Sequence, residues 1–316
     1  NDTRFYNQQP RSPARGSKEL LRWLVTRESY TWNVDIQNEY DVRVNTPIAL
    51  PQNRPHEDLD DWQVWFVGHA TVLIQIGPYN FITDPVWCDY ASPLHGRGPR
   101  RVCPAGFALE QLPTIHGVLL SHNHYDHMDL ATLEWLHKKF AMPIYTGLGN
   151  GFYLPKEFHV IEMDWWQEIP YHELRIVYTP AQHGSGRGLR DQNKALWGGF
   201  SVLAKTGHCF FAGDTGYAGH FKQIHTRYGA PRVALLPIGA YEPRKLMSYV
   251  HMNPQDAVHA HLDLQAHRSL AIHYRTFQLT DEGREDPEHA LAQAIKASSK
   301  LANPFYCIRE GHKLTV

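Results

Sequence analysis

The stretch SHNHYDHMD, residues 121–129, places His122, His124, Asp126 and His127 within six residues, directly after the apolar run 115–120. The apolar run reads as a strand, and Asp129 reads as the N-cap of a following helix rather than as a ligand. A tight loop at a strand end can aim residues i and i+2 at one cation. Residues i+4 and i+5 then fall on the first helical turn and can face a second cation nearby. Imidazole nitrogen and carboxylate oxygen are the ligands zinc accepts when no thiolate is offered. A surface loop that merely happened to be rich in histidine would not need a strand before it and a helix after it. The spacing therefore predicts two half-sites on one strand–loop–helix corner.

Four ligands do not complete two sites, so distant chain must supply the rest. His183 follows IVYTPAQ, Asp214 ends CFFAGD, and His273 follows SLAI. Each stands at the end of a predicted strand. A carboxylate there can bridge two cations with its two oxygens. A single histidine after an apolar strand is more often structural, and it is the common placement of these three that marks them.

Around the motif, WQVWFVG, ATVLIQIG and NFITDP read as consecutive strands from Trp62. Further strands are predicted over 117–121, 175–179, 199–204, 209–212, 233–237 and 269–273. Helices are predicted after Asp129, near 220–228, from Asn253 as N-cap with Pro254 at the first position, and from Asp286 and Pro287 in the same roles. Residues 1–60 are polar and proline-punctuated and read as an arm packed on the domain, with a short helix in SKELLRWLVTRES. Residues 61–316 read as one α/β domain with two sheets and outer helices.

The chain has 316 residues, 42% hydrophobic and 20% charged, the profile of an ordinary globular protein. A net charge of −1 with neutral histidines argues against nucleic acid as a partner. No run of about 18 apolar residues occurs, so no transmembrane helix is expected. Cys88, Cys103, Cys209 and Cys307 form no CxxC pair, and a Cys88–Cys103 bridge is the pairing an oxidising compartment would allow. The chain begins at Asn1, which leaves the compartment unread and fits a leader or anchor having been removed.

HNHYDH, His183, AGDTG and AIHYRTF occur in the order of the metallo-β-lactamase superfamily. More narrowly, VGHATVLI, ITDPVW, SHNHYDHMD, PIGAYEPR, HMNPQDAV and AIHYRTF resemble the N-acylphosphatidylethanolamine-hydrolysing phospholipase D family. The likeness covers roughly residues 61–277. It implies an αββα sandwich, two mixed sheets face to face with helices outside and two metals at one edge. By that resemblance His122, His124 and His183 would hold one zinc. Asp126, His127 and His273 would hold the other, and Asp214 and a hydroxide would bridge them. Iron or manganese would fit the same ligands. The implied reaction is attack of that hydroxide on the phosphorus of an N-acylated phosphatidylethanolamine, giving phosphatidic acid and an N-acylethanolamine. His251 would sit near the substrate amide as a catalytic residue, although it also reads as a helix-entry histidine. Asp84 would take the second N–H of a ligating histidine. His69 either points at the site or is a buried turn histidine bonded to backbone.

The glycine-rich GSGRGLRDQNK after His183 departs from the bulkier segment expected of vertebrate-like members, and predicts a wider or more mobile entrance. That departure keeps open a di-metal lactonase or a general phosphodiesterase. A non-catalytic, metal-stabilised membrane-associated binding protein is the reading from another class. A lipid substrate requires peripheral membrane contact, for which the arm offers Arg11, Arg15, Leu20, Leu21, Arg22 and Leu24. The resemblance also implies a homodimer.

Overall fold

The computed structural model describes residues 4–10, 17–28, 31–32, 34–45, 49–54, 59–94 and 96–316. Arg11 and Arg15 fall outside them, as do the side chains of Leu21 and Leu24. Two short helices, α1 (Ser17–Thr26) and α2 (Ile36–Asn45), precede the sheets. The second was not expected from the sequence.

The first sheet contains β1 (Trp62–Gly68), β2 (Thr71–Ile76), β3 (Tyr79–Thr83), β4 (Gly117–Leu120), β5 (Ile144–Gly147) and β6 (Val160–Met163), closed on its outer edge by β14 (Lys313–Thr315). The second contains β7 (Glu168–Tyr171), β8 (Leu174–Thr179), β9 (Gly199–Ala204), β10 (Gly207–Phe211), β11 (Val233–Pro237), β12 (Ser269–Ile272) and β13 (Phe305–Tyr306) in chain order across the sheet. Both sheets are mixed. Strands pair antiparallel from β14 through β3 and from β7 through β10, and the remaining strands pair parallel.

Side-chain alternation explains why both faces of the first sheet are covered. Val64 and Phe66 of β1, Val72 and Ile74 of β2, and Leu119 of β4 turn inward to the core shared by the two sheets. Trp65, Val67, Leu73, Val118 and Leu120 turn the other way, onto Leu133 and Leu136 of α3 (Leu130–Phe140). Beside the second sheet lie α4 (His220–Tyr228), α6 (Pro254–Leu264) and α7 (Asp286–Ala297), which bury Phe221, Ile224, Val258, Leu264 and Leu291. A single turn, α5 (Arg244–Met247), precedes α6. The molecule is thus an αββα sandwich, two mixed sheets flanked by helices.

The caps follow the sequence in two cases out of three. Asp129 accepts the backbone N–H of Thr132, and Asn253 forms a reciprocal capping box with Asp256. Asp286 does not cap α7. Glu285 stands at that position, Asp286 is already helical, and its Oδ2 instead accepts the Gly283 N–H at 2.8 Å. All four cysteines are free, so the Cys88–Cys103 bridge does not form. No helix among the described residues is long and apolar enough to cross a membrane.

Candidate metal centre

Every marked residue except His251, which lies between two helices, leaves the C-terminal end of a strand on the same edge of the sandwich. In the first sheet His69 follows β1, Asp84 follows β3, and His122 to His127 follow β4. In the second, His183 follows β8, Asp214 follows β10 and His273 follows β12. Parallel strands put these exits on one side, which is why residues so far apart in the chain meet.

One group is His122, His124 and His183, whose Nε2, Nδ1 and Nε2 converge: His124 Nδ1 lies 2.8 Å from His122 Nε2 and 3.2 Å from His183 Nε2. A second group is His69, Asp126, His127 and His273, whose ring nitrogens approach Asp126 Oδ2 at 3.0, 3.2 and 3.3 Å respectively. Asp214 stands between them. Its Oδ2 is 3.1 Å from His127 Nε2 and 3.7 Å from His183 Nε2, and its Oδ1 is 3.2 Å from His273 Nε2. The structure therefore brings together all seven residues marked as ligands, and adds His69 to the second group.

The inward atoms fit cations. His127 Nε2 and Asp214 Oδ1 are buried and make no hydrogen bond of good geometry. The outward nitrogens of His122, His127 and His183 are tied down, which fixes those rings, whereas His273 Nδ1 is buried without a hydrogen-bond partner. His127 Nδ1–H donates to Asp84 Oδ2 at 2.6 Å, and His183 Nδ1–H donates to the Val250 carbonyl at 2.9 Å. His122 Nδ1 lies 2.9 Å from Ser121 Oγ, which itself donates to Asp84. Asp84 also accepts the Ser121 backbone N–H at 2.7 Å, so one buried carboxylate orders both the ligand loop and a ligand ring.

Electrostatics divide the groups. Burial, helped by neighbouring imidazoles, pushes His122 and His183 well below the ordinary histidine pKa. They are neutral, as ligands must be. Burial opposes charge on His273 as well, yet Asp214 and Asp126 carry it up to about 9. His127 is likewise raised, with Asp214, Asp126 and Asp84 outweighing burial. Burial works against ionisation of Asp126 and Asp214, but His127 and its neighbours hold both well below the usual carboxylate range.

His69 reaches the site by a strained turn at φ 55°, and its backbone is satisfied by Thr276 Oγ1 and the His273 N–H. The backbone is tied in a turn, and the ring meets Asp126. Its pKa falls to about 3 through burial and the nearby His273.

His251 lies beside these groups, its ring centroid 5.0 Å from that of His183 and its Nδ1 3.9 Å from Asp214 Oδ2. Arg244 fixes it by donating to the His251 carbonyl at 3.0 Å and to Asp256 Oδ2 at 2.6 Å. That gives the arginine of PIGAYEPR a role its sequence did not disclose. His124, His183 and His251 open onto a cavity of about 570 Å³, walled by Tyr6, Leu20 and Tyr249.

The glycine-rich segment after His183 is strapped rather than loose. Arg187 Nη1 donates to the carbonyls of Asn123 and Met128, both at 2.9 Å, and its guanidinium stacks 4.0 Å over the Tyr125 ring. Tyr125 donates back to the Arg187 carbonyl, and Asn123 Oδ1 accepts the Gly186 N–H. Asp191 accepts from the Arg187 and Gly188 backbones and from Tyr153. At Gly184 a Cβ would meet the Asn193 amide oxygen at 3.0 Å, so the segment lies close against its own return. Sequence reasoning missed Arg187, because nothing in the spacing ties it to residues 123–128.

A family model described as Beta-lactamase superfamily domain matches residues 79–274. An uncharacterised protein of Mycobacterium tuberculosis is 35% identical over 314 residues, 96% of this chain and 82% of that protein. N-acyl-phosphatidylethanolamine-hydrolyzing phospholipase D 1 of Caenorhabditis elegans is 34% identical over 267 residues, 79% of this chain and 74% of that protein. Among solved structures, the metallo hydrolase Igni18 of Ignicoccus hospitalis superposes with a TM-score of 0.61 at 21% identity, over 81% of this chain and 98% of that one. The chain belongs to the metallo-β-lactamase superfamily, and within it to the family of the N-acylphosphatidylethanolamine-hydrolysing phospholipases D, as a hydrolase of that fold.

Proposed function

We propose that the protein is a di-zinc phosphodiesterase that hydrolyses N-acylated phosphatidylethanolamine to an N-acylethanolamine and phosphatidic acid. The observation that carries this reading is Asp214 standing between two groups of inward-facing ligands beside an open cavity. His122, His124 and His183 would hold one ion, and Asp126, His127 and His273 the other, with Asp214 shared. Bound zinc would supply a hydroxide near neutral pH and a Lewis-acid contact for a phosphoryl oxygen. The relative from Caenorhabditis elegans supports the substrate by its name.

The chain's own residues do the rest. Burial holds His251 down to about 3, so at neutral pH it presents an uncharged imidazole on the cavity side of Asp214. That imidazole would hydrogen-bond the substrate amide or the departing ethanolamine oxygen. Tyr6, Leu20 and Tyr249 offer an acyl chain apolar contacts in a wall that also carries Asn7, Gln9, Gln192 and Asn193. Water is consumed and the bond between phosphorus and the ethanolamine oxygen breaks.

Peripheral lipid contact belongs to the same proposal, through Leu20 and Arg22 of α1 and through Phe152 and Leu189. The last two are exposed and line one hollow with Arg190 and Lys194. A homodimer is proposed with it. The test pairs elemental analysis with release of N-acylethanolamine from mixed micelles, beside Asp214→Asn. About two zinc ions per chain and turnover lost in the variant support the reading. Two ions with turnover only on soluble phosphodiesters or lactones would replace the lipid substrate and keep the hydrolase.

A further inference from the structure

Residues 4–10 were expected as cover for the domain. They lie against the candidate ligand His183, 176 positions along the chain. Asn7 Nδ2 donates to the His183 carbonyl at 2.8 Å, and the His183 backbone N–H donates to Asn7 Oδ1 at 3.0 Å. The side-chain amide thus pairs with both polar groups of one residue, as a neighbouring strand would. Trp197 Nε1 donates to the same Asn7 Oδ1 at 3.0 Å, fixing which way the amide faces.

Contacts on either side hold the segment in register. Phe5 N–H donates to the Asn193 carbonyl at 2.8 Å and its ring packs on the core. Arg4 donates to the Gln192 carbonyl at 2.6 Å, and Tyr249 donates to the Gln9 carbonyl at 2.7 Å. With Val250 accepting from Nδ1, all three polar groups of His183 that do not face the centre are engaged, two of them by Asn7. The same segment turns Tyr6, Asn7 and Gln9 to the cavity above His124, His183 and His251.

We infer that residues 4–10 are part of the functional site, with Asn7 a positioning residue that sets His183 for its metal while its neighbours wall the substrate cavity. This rests on the metal centre of the preceding reading. By linkage, whatever the segment contributes to ion binding, ion binding returns to the segment.

The experiment uses the full chain, metal-free and with zinc, followed by hydrogen exchange and mass spectrometry. Zinc should slow exchange in peptides covering residues 4–10 together with those around His183. In Asn7→Ala, one of the two ions should bind at least about tenfold more weakly by chelator competition, the scale found when a ligand loses its supporting hydrogen bond. Asn7→Asp keeps both acceptor bonds but sets a carboxylate oxygen against the His183 carbonyl oxygen in place of the donor, so it should also bind one ion more weakly than wild type. Wild-type protein that binds two ions without protecting residues 4–10 overturns this inference alone. So does Asn7→Ala binding both ions with full affinity. If neither variant folds, the wild-type exchange decides. A wild-type chain that binds no zinc overturns the metal centre, and this inference with it.

Discussion

His273 Nε2 lies 3.2 Å from Asp214 Oδ1 and 3.3 Å from Asp126 Oδ2. Burial alone would strip its proton, yet the two carboxylates carry its pKa from 6.5 up to about 9. The metal-free chain therefore holds protons on His273 and His127 where cation charge would otherwise sit. A folded pKa above the unfolded one stabilises fully below about 6.5, and the contribution is lost as pH rises through about 9. The melting temperature of metal-free protein should fall over that window, and that of zinc-loaded protein should fall much less. Zinc binding near neutral pH should release protons, measurable by calorimetry in two buffers of different ionisation enthalpy. Equal heats in both buffers would refute the protonated pair.

Asp84 makes three bonds at once, to the Ser121 N–H at 2.7 Å, to Ser121 Oγ at 2.5 Å and to His127 Nδ1 at 2.6 Å. Asp84→Asn keeps the shape and removes the charge that orients the imidazole. Zinc affinity should drop roughly 10–100-fold. Chelator competition reads the loss, and unchanged affinity would show that the His127 ring is oriented without this carboxylate.

Arg187 holds the carbonyls at both ends of the ligand loop, at Asn123 and at Met128. Arg187→Ala leaves both without this donor, at about 1–3 kcal/mol for each buried group left unsatisfied. A half-buried site falls toward the lower end, so the melting temperature should drop by roughly 3–8 °C. Arg187→Lys restores charge but not the planar fork or the stack on Tyr125, and should recover less than half of the loss. Melting and zinc affinity equal to wild type in the alanine variant would mean that the strap is held by Asp191 and Asn123 alone.

Much of this site was legible because its signals are local or share one placement. His122 to His127 declare themselves by spacing, and His183, Asp214 and His273 by standing where apolar strands end. The near-continuous apolar runs that bury both faces of β1 and β2 are also plain in the residues. What the sequence hides is pairing across distance. No periodicity links Asn7 to His183, Arg187 to Met128 or Arg244 to the His251 carbonyl. Short edge strands such as β7 and β14 were missed because they are half exposed and carry no apolar run. The cap of α7 was misplaced by one residue, since an Asp-Pro pair fits the first helical turn as well as the cap.

Gly239, in PIGAYEPR just after β11, packs against the backbone that carries His273. A Cβ there would collide with the His273 carbonyl oxygen and lie 3.3 Å from Tyr274 Cα. The chain cannot retreat, because the next residue, Ala240, is held at φ 57° with its N–H donating to Glu282 Oε1 at 2.6 Å. Gly239→Ala must therefore displace His273, and zinc binding at the Asp126, His127 and His273 group should weaken more than at the other. Gly229→Ala is the control. It stands at φ 78° and ψ −166° after α4 with nothing within 4 Å of a Cβ, so its cost is that of a backbone conformation open essentially to glycine alone, about 1–3 kcal/mol. Both variants should melt below wild type, and only Gly239→Ala should lose zinc affinity. Equal affinity in the two would mean that the glycine serves the fold of the loop and not the placement of His273.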